Sequence, residues 1–369
     1  MKQTKKNIIQ VVAYYPPHLG GMENCAKEIA ENLARKGHNI NVLTSDRGAV
    51  SSEKKITKNL RVSYLKSIEI AHTPIIFRLF RKLMQISKSS IIHLHISQAL
   101  IPEIVFVSAK LRNIPYIAHI HLDVDPSGPL GFLLEPYKQI LLKPVLRHAS
   151  KIICLSPRQK KEIAQKYKLP ENKIIVLPNG VGESFFIKRK IEKKEIPTIL
   201  FVGRLVKQKN LPRLINAISM MKKETRVQIA GVGEDENKIK QLIKKLKLKN
   251  VSMLGRVRRG KELINLYKNA DIFLLTSNKE GVPLVVLEAM AAGLPIVGPD
   301  ISGVRELLQG SAILVKEPSA KAFAEELDKL IIDKQRQRKL SQKAQQKARQ
   351  YKWDTLTKKL ESIYEEVSL

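Results

Sequence analysis

The stretch EGVPLVVLEAMAAGLPIV, residues 280–297, places two glutamates eight positions apart in an otherwise apolar segment. A buried carboxylate without a partner costs several kcal/mol or becomes protonated. Two glutamates in an apolar segment therefore indicate that these carboxylates have a function. Pro283 suits the first turn of a helix, where its missing N–H is not needed, and Gly293 suits the helix end. The spacing predicts Glu280 on the loop before a helix and Glu288 about one and a half turns inside it.

The start of this helix is a candidate anion site, because the backbone N–H groups from about Gly281 to Leu284 have no partner within the helix. Further upstream, FVGRLVKQKN at 201–210 places Arg204 and Lys209 just beyond the end of an expected strand. Both cations suit a phosphate, although they could also be solvated loop residues. Two carboxylates flanking a phosphate site match a nucleoside diphosphate sugar, which has hydroxyls on both sides of its phosphates.

Composition indicates a globular chain with an unusual charge. The 369 residues are 43% hydrophobic, enough for two domains with their own cores. Lys and Arg number 66 against 34 acids, a net charge of +32. This excess attracts nucleic acid, anionic membrane or phosphorylated ligands, and the net charge alone does not distinguish among these partners. Aromatic residues make up only 5% and are not interleaved with the basic runs, which disfavours specific nucleic-acid binding.

The termini and cysteines favour a cytoplasmic protein, with attachment to the inner face of the cytoplasmic membrane as an option. Lysines precede an apolar run at 1–17, but Gln10 interrupts it and no small-residue cleavage site follows, so a β-strand is expected there. No uninterrupted apolar stretch reaches ~18 residues, so no transmembrane helix is expected. Cys25 and Cys154 lack metal-ligand spacing and a disulfide framework, and we expect both to be reduced core residues.

Alternating strand and helix patterns predict two α/β domains in tandem. Residues 7–45 fit a βαβ unit, and further strand patterns end near 178. The charged segment 182–197 is interpreted as an interdomain linker, and a second alternating series follows it. Ligands bind off the carboxyl ends of strands in such sheets, so we expect a site in a cleft between the domains. Residues after Pro318 are expected to be helical, with eight cations and no acid at 334–352.

These features together resemble family-4 glycosyltransferases of GT-B fold. The resemblance covers nearly the whole chain, and it rests on YYPPHLGGMEN, HIHLD, LPNGV, FVGRLVKQKN and the E-x7-E segment within 271–306. It implies an α/β fold of two doubly wound Rossmann-like domains facing a central cleft. The implied domains are 1–183, on the acceptor side, and 184–353, which binds the donor, while a terminal helix at 354–369 crosses back to the first. The implied activity is retaining transfer of a hexose from a UDP- or GDP-sugar to a lipid-linked or glycan acceptor.

The resemblance also implies roles for residues of the second domain. Glu288 would bind the donor ribose and Glu280 the hydroxyls of the transferred sugar. Arg204 and Lys209 would neutralise the diphosphate as it leaves. The remaining donor-binding positions are backbone or loop residues: Gly281, Val282, Pro283, Leu284 and, beside the base, Val257. Many relatives have glycine where Pro283 stands, so one backbone donor is missing here.

In the first domain, Gly20 and Gly21 would let the backbone approach the donor diphosphate closely. His119 and His121 alternate on one strand and point to one face, so periodicity does not separate them. The resemblance favours His121 as the catalytic histidine. Asp123 and Asp125 follow it as weaker candidates for acceptor contacts.

No metal or other cofactor is expected. A helix start and two cations can stabilise the departing diphosphate as a divalent metal does elsewhere. The chain has no D-x-D motif in a suitable context, since DVD at 123–125 lies on the acceptor side. The resemblance favours a same-face route in which the leaving phosphate helps to deprotonate the acceptor.

Two basic segments have alternative interpretations. Residues 74–88 place Ile76, Leu79, Phe80 and Leu83 on one helical stripe with cations largely opposite. Such a helix either packs on the domain's own sheet or docks on anionic membrane. The cationic run at 334–352 is either a solvated helix face or a binding surface.

Two other functions remain as alternatives. One is a nucleic-acid or polyanion-binding protein on a glycosyltransferase-like scaffold, motivated by the charge. The other is a scaffold that has lost catalysis, which the presence of Glu280, Glu288, Arg204 and Lys209 disfavours.

Overall fold

The computed structural model describes residues 5–18, 20–70, 73–96, 99–121, 132, 134–189 and 195–368. The chain divides into two compact units, one comprising Met1–Pro178 with Trp353–Leu369 and the other Asn179–Lys352. The predicted acceptor contacts Asp123 and Asp125 lie outside the described residues, as does 190–194 of the expected linker.

Unit 1 is built on an eight-stranded sheet in the order β10-β9-β8-β7-β1-β2-β4-β3, in which only β3 runs antiparallel to its neighbour. Strands β5 and β6 form a separate hairpin. The strands are β1 Asn7–Val11, β2 Asn39–Ser45, β3 Glu53–Thr57, β4 Leu60–Leu65, β5 Ser67–Ile70, β6 Thr73–Ile76, β7 Ser90–Ile96, β8 Tyr116–Ile120, β9 Lys151–Cys154 and β10 Ile174–Val176. The helices are α1 Gly21–Arg35, α2 Leu79–Leu83, α3 Ile101–Arg112, α4 Leu134–Tyr137, α5 Lys143–His148 and α6 Pro157–Tyr167, with a π-helical turn at Lys138–Leu142.

Unit 2 contains a six-stranded parallel sheet in the order β13-β12-β11-β14-β15-β16. Its strands are β11 Thr198–Val202, β12 Arg226–Ala230, β13 Val251–Gly255, β14 Ile272–Leu274, β15 Ile296–Pro299 and β16 Ile313–Val315. Its helices are α7 Leu211–Met220, α8 Glu236–Lys245, α9 Lys261–Asn269, α10 Leu284–Ala291, α11 Val304–Leu308, α12 Ala320–Ile332 and α13 Lys334–Ala348. After α13 the chain returns to unit 1 as α14, Trp353–Val367.

Both sheets reverse their strand order at a central pair of strands. In unit 1 the reversal lies between β1 and β7, and in unit 2 between β11 and β14. The loops that leave the carboxyl ends of these strands diverge to opposite sides and open a crevice, which is where ligands bind in open α/β sheets. The loops after β11 and β14 are those that contain Arg204, Lys209 and Glu280.

The structure corrects the prediction of one helical stripe at 74–88. The segment begins as β6, paired with β5, and continues as the five-residue α2. Ile76, Leu79 and Leu83 are buried in the core of unit 1, whereas Phe80 is exposed and does not share their face. The packing interpretation therefore holds for three of the four stripe residues.

The expected linker at 182–197 differs from the structure as well, because its described part belongs to unit 2. Phe185 is buried and packs edge-on against the ring of Tyr267. Lys352, at the other end of unit 2, forms an ion pair with Glu183 at 2.8 Å. The charged residues that suggested a solvated linker thus flank a buried aromatic anchor.

The cationic run at 334–352 is largely the solvated face of α13. Arg336, Arg338, Lys339 and Lys343 are exposed, while Ala344 is buried. None of the helices in the described part of the chain combines the length and apolar character that crossing a bilayer requires.

Candidate donor site

The loops that follow β11 and β14 are joined by hydrogen bonds at the point where the sheet of unit 2 reverses its order. The Thr276 hydroxyl donates to the Lys209 carbonyl at 3.0 Å. The backbone N–H of Asn278 donates to the Gln208 carbonyl at 2.9 Å, and the Gln208 side-chain amide donates to the Lys279 carbonyl at 2.7 Å. These bonds fix the two loops relative to each other, so the side chains they carry are held in position.

Lys209 and Glu280 form an ion pair between these loops. Lys209 Nζ lies 2.5 Å from Glu280 Oε1, which also accepts a hydrogen bond from the Ser277 hydroxyl at 2.6 Å. Their side chains are 15% and 6% exposed. A buried carboxylate is tolerated when it is paired and hydrogen-bonded. Within the described part of the chain, Glu280 Oε2 accepts no hydrogen bond, so it is available to a ligand hydroxyl.

Glu288 is 2% exposed on α10 and is also paired. Its Oε1 accepts a hydrogen bond from Arg259 Nη2 at 2.7 Å, and its Oε2 accepts one from the Tyr267 hydroxyl at 2.9 Å. Burial, and then the nearby charge of Glu288, raises the pKa of Tyr267 well above its ordinary value, so Tyr267 remains a donor. Arg259 lies over the Phe185 ring at 5.9 Å. Both glutamates of the opening stretch are therefore charge partners of basic residues.

The start of α10 differs slightly from the prediction. Pro283 lies just before the helix as its N-cap residue, with extended backbone angles, and not within the first turn. Its carbonyl accepts the first bonds of the helix, from the N–H of Val286 at 3.1 Å and of Leu287 at 3.3 Å. The N–H groups of Leu284 and Val285 precede these bonds and face the helix start, where an anion is stabilised.

The residues before Pro283 are held by close backbone contacts. The Val282 carbonyl accepts a hydrogen bond from the Asn179 side chain at 2.6 Å. Gly303 has φ of +78°, and a Cβ there would lie 1.9 Å from the Gly281 carbonyl oxygen. Only glycine fits this position, because the backbone of the loop passes where a side chain would begin.

Arg204 is exposed, and its side chain has no hydrogen-bond or ion-pair partner among the residues that the structure describes. Its loop packs against two glycines of the neighbouring loop. A Cβ at Gly231 would lie 1.8 Å from the Gly203 carbonyl oxygen, and one at Gly233 would lie 2.3 Å from that of Leu205. Arg204 is thus a free cation on a fixed backbone, suited to an incoming anion.

Val257 lies in the loop that follows β13 and is half-buried. Its apolar side chain could contact the face of a base but could not read its polar edge, and its place beside the donor base stays a prediction. The same loop contains Arg259, the partner of Glu288.

In unit 1, Gly20 and Gly21 begin α1 after the loop that leaves β1. A Cβ at Gly20 would overlap the Glu23 carboxylate at 1.9 Å, whereas one at Gly21 would meet no atom within 4 Å. Glu23 Oε1 lies 3.0 Å from His18 Nδ1. A side chain at position 20 would therefore displace the Glu23 carboxylate, whereas the space beside Gly21 is open.

His121 follows β8 and is half-buried. Its ring stacks on that of His119 with centroids 4.2 Å apart, which confirms that the two histidines share a face. His121 Nε2 lies 2.9 Å from His95 Nδ1. Burial lowers the pKa of His121 to about 3, so the ring is neutral at physiological pH.

The structure brings Arg204, Lys209, Glu280 and the start of α10 to one edge of the sheet in unit 2, with Glu288 on the same helix. Sequence reasoning missed Arg259, Tyr267 and Ser277, which hold the two carboxylates. The basic sequence RVRRG at 256–260 was the available signal for Arg259, while nothing in the sequence distinguished Tyr267 from a core aromatic residue.

Comparison with protein families agrees with this geometry. Residues 183–347 match the family described as Glycosyl transferases group 1, and residues 19–185 match Glycosyltransferase Family 4. The chain belongs to the family-4 glycosyltransferases. It is 29% identical to an uncharacterized glycosyltransferase of Methanocaldococcus jannaschii, over 97% of both chains. It is 25% identical to one chain of the human phosphatidylinositol N-acetylglucosaminyltransferase, over 88% of this protein and 68% of that one.

Solved structures confirm the predicted α/β GT-B fold. The structure of Anabaena Alr3699/HepE in complex with UDP-glucose is similar to this glycosyltransferase with a TM-score of 0.78, at 18% identity, over 98% of this chain and 99% of that one. The sucrose-phosphate synthase of Thermosynechococcus elongatus has a TM-score of 0.78 at 17% identity, over 98% and 99% of the two chains.

Proposed function

We propose that this glycosyltransferase moves a hexose from a UDP- or GDP-sugar to a lipid-linked or glycan acceptor, with retention of the anomeric configuration. The observation that carries the proposal is the Lys209–Glu280 ion pair at the reversal point of the sheet in unit 2. This ion pair holds a cation next to a carboxylate that retains a free oxygen, and the two groups would suit the phosphate and a sugar hydroxyl of a sugar nucleotide. A related structure contains UDP-glucose, which supports a nucleotide-sugar donor.

Different residues of unit 2 would bind different parts of the donor. Glu288 would bind the ribose hydroxyls, and Glu280 Oε2 would accept a hydrogen bond from the sugar. Arg204, Lys209 and the N–H groups at the start of α10 would stabilise the negative charge that develops on the diphosphate as the anomeric bond breaks. The backbone of Gly281, Val282 and Leu284 would line the diphosphate, and Val257 would lie beside the base.

The ribose would have to share Glu288 with Arg259, which already donates a hydrogen bond to Glu288 Oε1. A carboxylate oxygen has two lone pairs, so a ribose hydroxyl can share Glu288 with Arg259. The charge-assisted bond from Arg259 holds the carboxylate in place as an acceptor. We therefore assign Arg259 to orienting the Glu288 carboxylate toward the donor.

The catalytic step would need no metal at the diphosphate, since cations and backbone dipoles supply the positive charge. Glu280 is already bound by Lys209 and Ser277, which favours a role in binding the sugar over that of a covalent nucleophile. The leaving phosphate would then accept the proton of the acceptor hydroxyl on the same face. From unit 1, Gly20 and Gly21 would approach the donor, and His121 would contact the transferred sugar, as the family resemblance implies.

A lipid-linked acceptor would suit an enzyme that docks on anionic membrane through residues 74–88. Phe77 and Phe80 are 48% and 43% exposed, and Arg78, Arg81 and Lys82 beside them are also exposed. On the paired strand, Ile68 and Ile70 are 45% and 57% exposed. No acidic residue occurs at 74–88. Apolar side chains among cations match the boundary between lipid headgroups and acyl chains. Two of the related proteins have names that refer to O-antigen biosynthesis and to phosphatidylinositol.

A thermal-shift screen tests the donor proposal. UDP, GDP and their hexose conjugates would be added at concentrations far above the dissociation constant, where a specific ligand stabilises by a few kcal/mol. We expect one nucleotide series to raise the unfolding temperature of the protein. The anomeric configuration of the product, read by NMR, then tests retention. Absence of any shift with either nucleotide series would refute the donor class, and an inverted product would refute retention. Added Mg²⁺ or Mn²⁺ is expected to leave turnover unchanged.

A further inference from the structure

A cluster of buried polar side chains lies on one face of the sheet in unit 1. His93 and His95 are on β7, His119 is on β8 and Gln10 is on β1, and none is more than 1% exposed. The pairing register places Gln10 beside His93 and His95 beside His119. Alternate residues of a strand share a face, so these four side chains converge on the side covered by α14.

Several polar atoms of this cluster have no partner in the described part of the chain. They are His95 Nε2, His119 Nε2 and both side-chain atoms of Gln10. A buried donor or acceptor without a partner is destabilising, because it has lost its hydrogen bond to water. Nearly all such groups in native proteins are satisfied by protein, ordered water or an ion. The four unpartnered atoms of this cluster are therefore expected to bind ordered water or an ion.

The geometry of the three histidines fits a metal ion. Each offers one ring nitrogen, and these nitrogens lie within 4.8 Å of one another. His93 Nε2 and His119 Nδ1 are 3.1 Å apart. Two nitrogens that bind one tetrahedral zinc ion lie about 3.3 Å apart, given the usual bond lengths. The short contact therefore fits two ligands of one ion as well as a hydrogen bond.

Partners on the opposite ring nitrogens complete the pattern. The Tyr364 hydroxyl of α14 lies 2.5 Å from His93 Nδ1, and His121 Nε2 lies 2.9 Å from His95 Nδ1. Histidines that bind metals use their second nitrogen for such hydrogen bonds, which fix the ring orientation. In this arrangement His93 Nε2 and His95 Nε2 both remain available to an ion. His119 would bind the ion through Nδ1, and its Nε2 would bind ordered water.

We propose that His93, His95 and His119 bind one divalent transition-metal ion of the zinc class in the core of unit 1. Imidazole suits zinc, copper and nickel, whereas calcium and magnesium require oxygen ligands that the three histidines do not provide. Three histidines leave one coordination position for a water molecule or the Gln10 amide oxygen. The ion would join β7 to β8. It would not serve the donor diphosphate, which the cations of unit 2 neutralise.

The test measures metal bound to untagged protein, since an affinity tag of histidines would bind zinc itself. Protein incubated with excess Zn²⁺ and dialysed against metal-free buffer would be analysed by mass spectrometry of the metal. His95→Gln and His119→Gln remove one ligand each. His148→Gln is the matched control, because His148 is exposed and its Nδ1 lies 2.9 Å from the Pro144 carbonyl oxygen, away from the cluster. Circular dichroism would show that each variant is folded.

We expect one zinc ion per chain in the wild type and in His148→Gln, and a loss of about tenfold or more in metal affinity in both cluster variants. Cobalt loaded in place of zinc should give the visible absorption of a tetrahedral site. If the variants fail to fold, the amount of metal retained by the wild-type protein is the deciding measurement. Folded wild-type protein that retains less than about one tenth of an equivalent of zinc or cobalt would overturn the proposal and leave ordered water as the partner of these atoms.

Discussion

At the scale of single residues, Glu288 shows why the choice of substitution matters. Its two oxygens bind Arg259 and Tyr267, so Glu288→Ala would remove the carboxylate that pairs with Arg259 and one of the two hydrogen bonds of the Tyr267 hydroxyl, which also donates to the Val285 carbonyl. Breaking such a pair costs about 3–5 kcal/mol of stability. We therefore predict that Glu288→Ala lowers both stability and transfer, whereas Glu288→Gln keeps the fold and abolishes most donor binding and transfer. Chemical denaturation and a transfer assay of both variants would check this.

Substitutions of the two glutamates are expected to have different effects on transfer and on nucleotide binding. Glu280→Gln should reduce transfer strongly while leaving binding of the free nucleoside diphosphate nearly normal, because Glu280 is assigned to the sugar. Calorimetry with the nucleotide is the measurement. Normal turnover in purified Glu288→Gln would contradict the ribose assignment, and equal losses of nucleotide affinity in both variants would contradict the division between them.

Arg204 has a matched control in its own loop, because Lys207 is also an exposed cation shortly after β11. We predict that Arg204→Ala costs more in turnover than in ground-state donor affinity, since the charge on the leaving diphosphate is greatest in the transition state. Lys207→Ala should change neither by more than about twofold if only screened surface charge is lost. Steady-state kinetics with a varied donor would show the difference, and an effect on affinity alone would indicate simple phosphate anchoring.

Local sequence patterns selected candidate site residues but not the contacts between them. Spacing and helix signals, which are local, made Glu280, Glu288, Arg204 and Lys209 candidates, and their roles stay predictions. The Lys209–Glu280 contact joins residues 71 positions apart and exists because β11 and β14 are neighbours in the sheet. That adjacency follows from strand order, which local patterns do not encode. The contacts of Arg259 and Tyr267 with Glu288 could not be predicted for the same reason.

At the scale of elements, the basic segment around α2 is where prediction and structure differ most. An apolar spacing of three and four residues indicated one helix at 74–88, but pairing with β5 makes the first part a strand. Periodicity could not show this, because a short apolar run fits either state until its partner is known. The sequence patterns did not predict β3. All of its residues are exposed, so its sequence lacks the apolar pattern that indicates a strand.

Phe77, just before α2, and Phe80, within it, are both exposed, and they are the basis of a prediction about membrane binding. Replacing Phe77 and Phe80 by serine should weaken co-sedimentation with anionic vesicles, because both apolar anchors are removed while the cations remain. Binding by the wild type should be absent with neutral vesicles and lost at high salt, since each cation contributes only ~1 kcal/mol near an anionic surface. Core residues Leu79 and Leu83 are untouched, so the variant should stay folded.

Ile332→Ser provides the control, because Ile332 is 65% exposed at the end of α12 in the other unit. This variant should bind anionic vesicles as the wild type does. Equal recovery of wild-type protein in the supernatant with both vesicle types would remove membrane docking as an explanation of the charge and favour a soluble acceptor.

At the scale of the whole molecule, the net charge of +32 gives the nucleic-acid alternative its only support. Non-specific binding to phosphates falls steeply as salt rises, because it depends on release of counterions. We predict no mobility shift of DNA or RNA at physiological salt beyond weak binding that disappears at higher salt. A sequence-selective, salt-resistant shift would revive a polyanion-binding function on this scaffold.

The chain ends in unit 1 after passing through unit 2, so α14 makes the stability of unit 1 depend on residues at the far end of the sequence. Leu356, Leu360 and Tyr364 are buried in the core shared with α1. The sequence allowed this helix to be predicted through its family resemblance, although only the structure shows that Glu361 binds Lys36 at 2.6 Å and His38 at 2.9 Å. Packing and an ion pair therefore both attach the helix.

Leu360→Ala should therefore destabilise unit 1 by about 2–5 kcal/mol, the usual cost of a cavity in place of a buried leucine. Lys359→Ala, on the exposed face of the same helix, should change stability by no more than about 0.5 kcal/mol. Because unit 2 contains none of these contacts, its unfolding should keep its midpoint in both variants. Urea unfolding followed by limited proteolysis would assign each transition to a unit. If Leu360→Ala shifted neither transition, α14 would contribute packing that unit 1 does not need to fold.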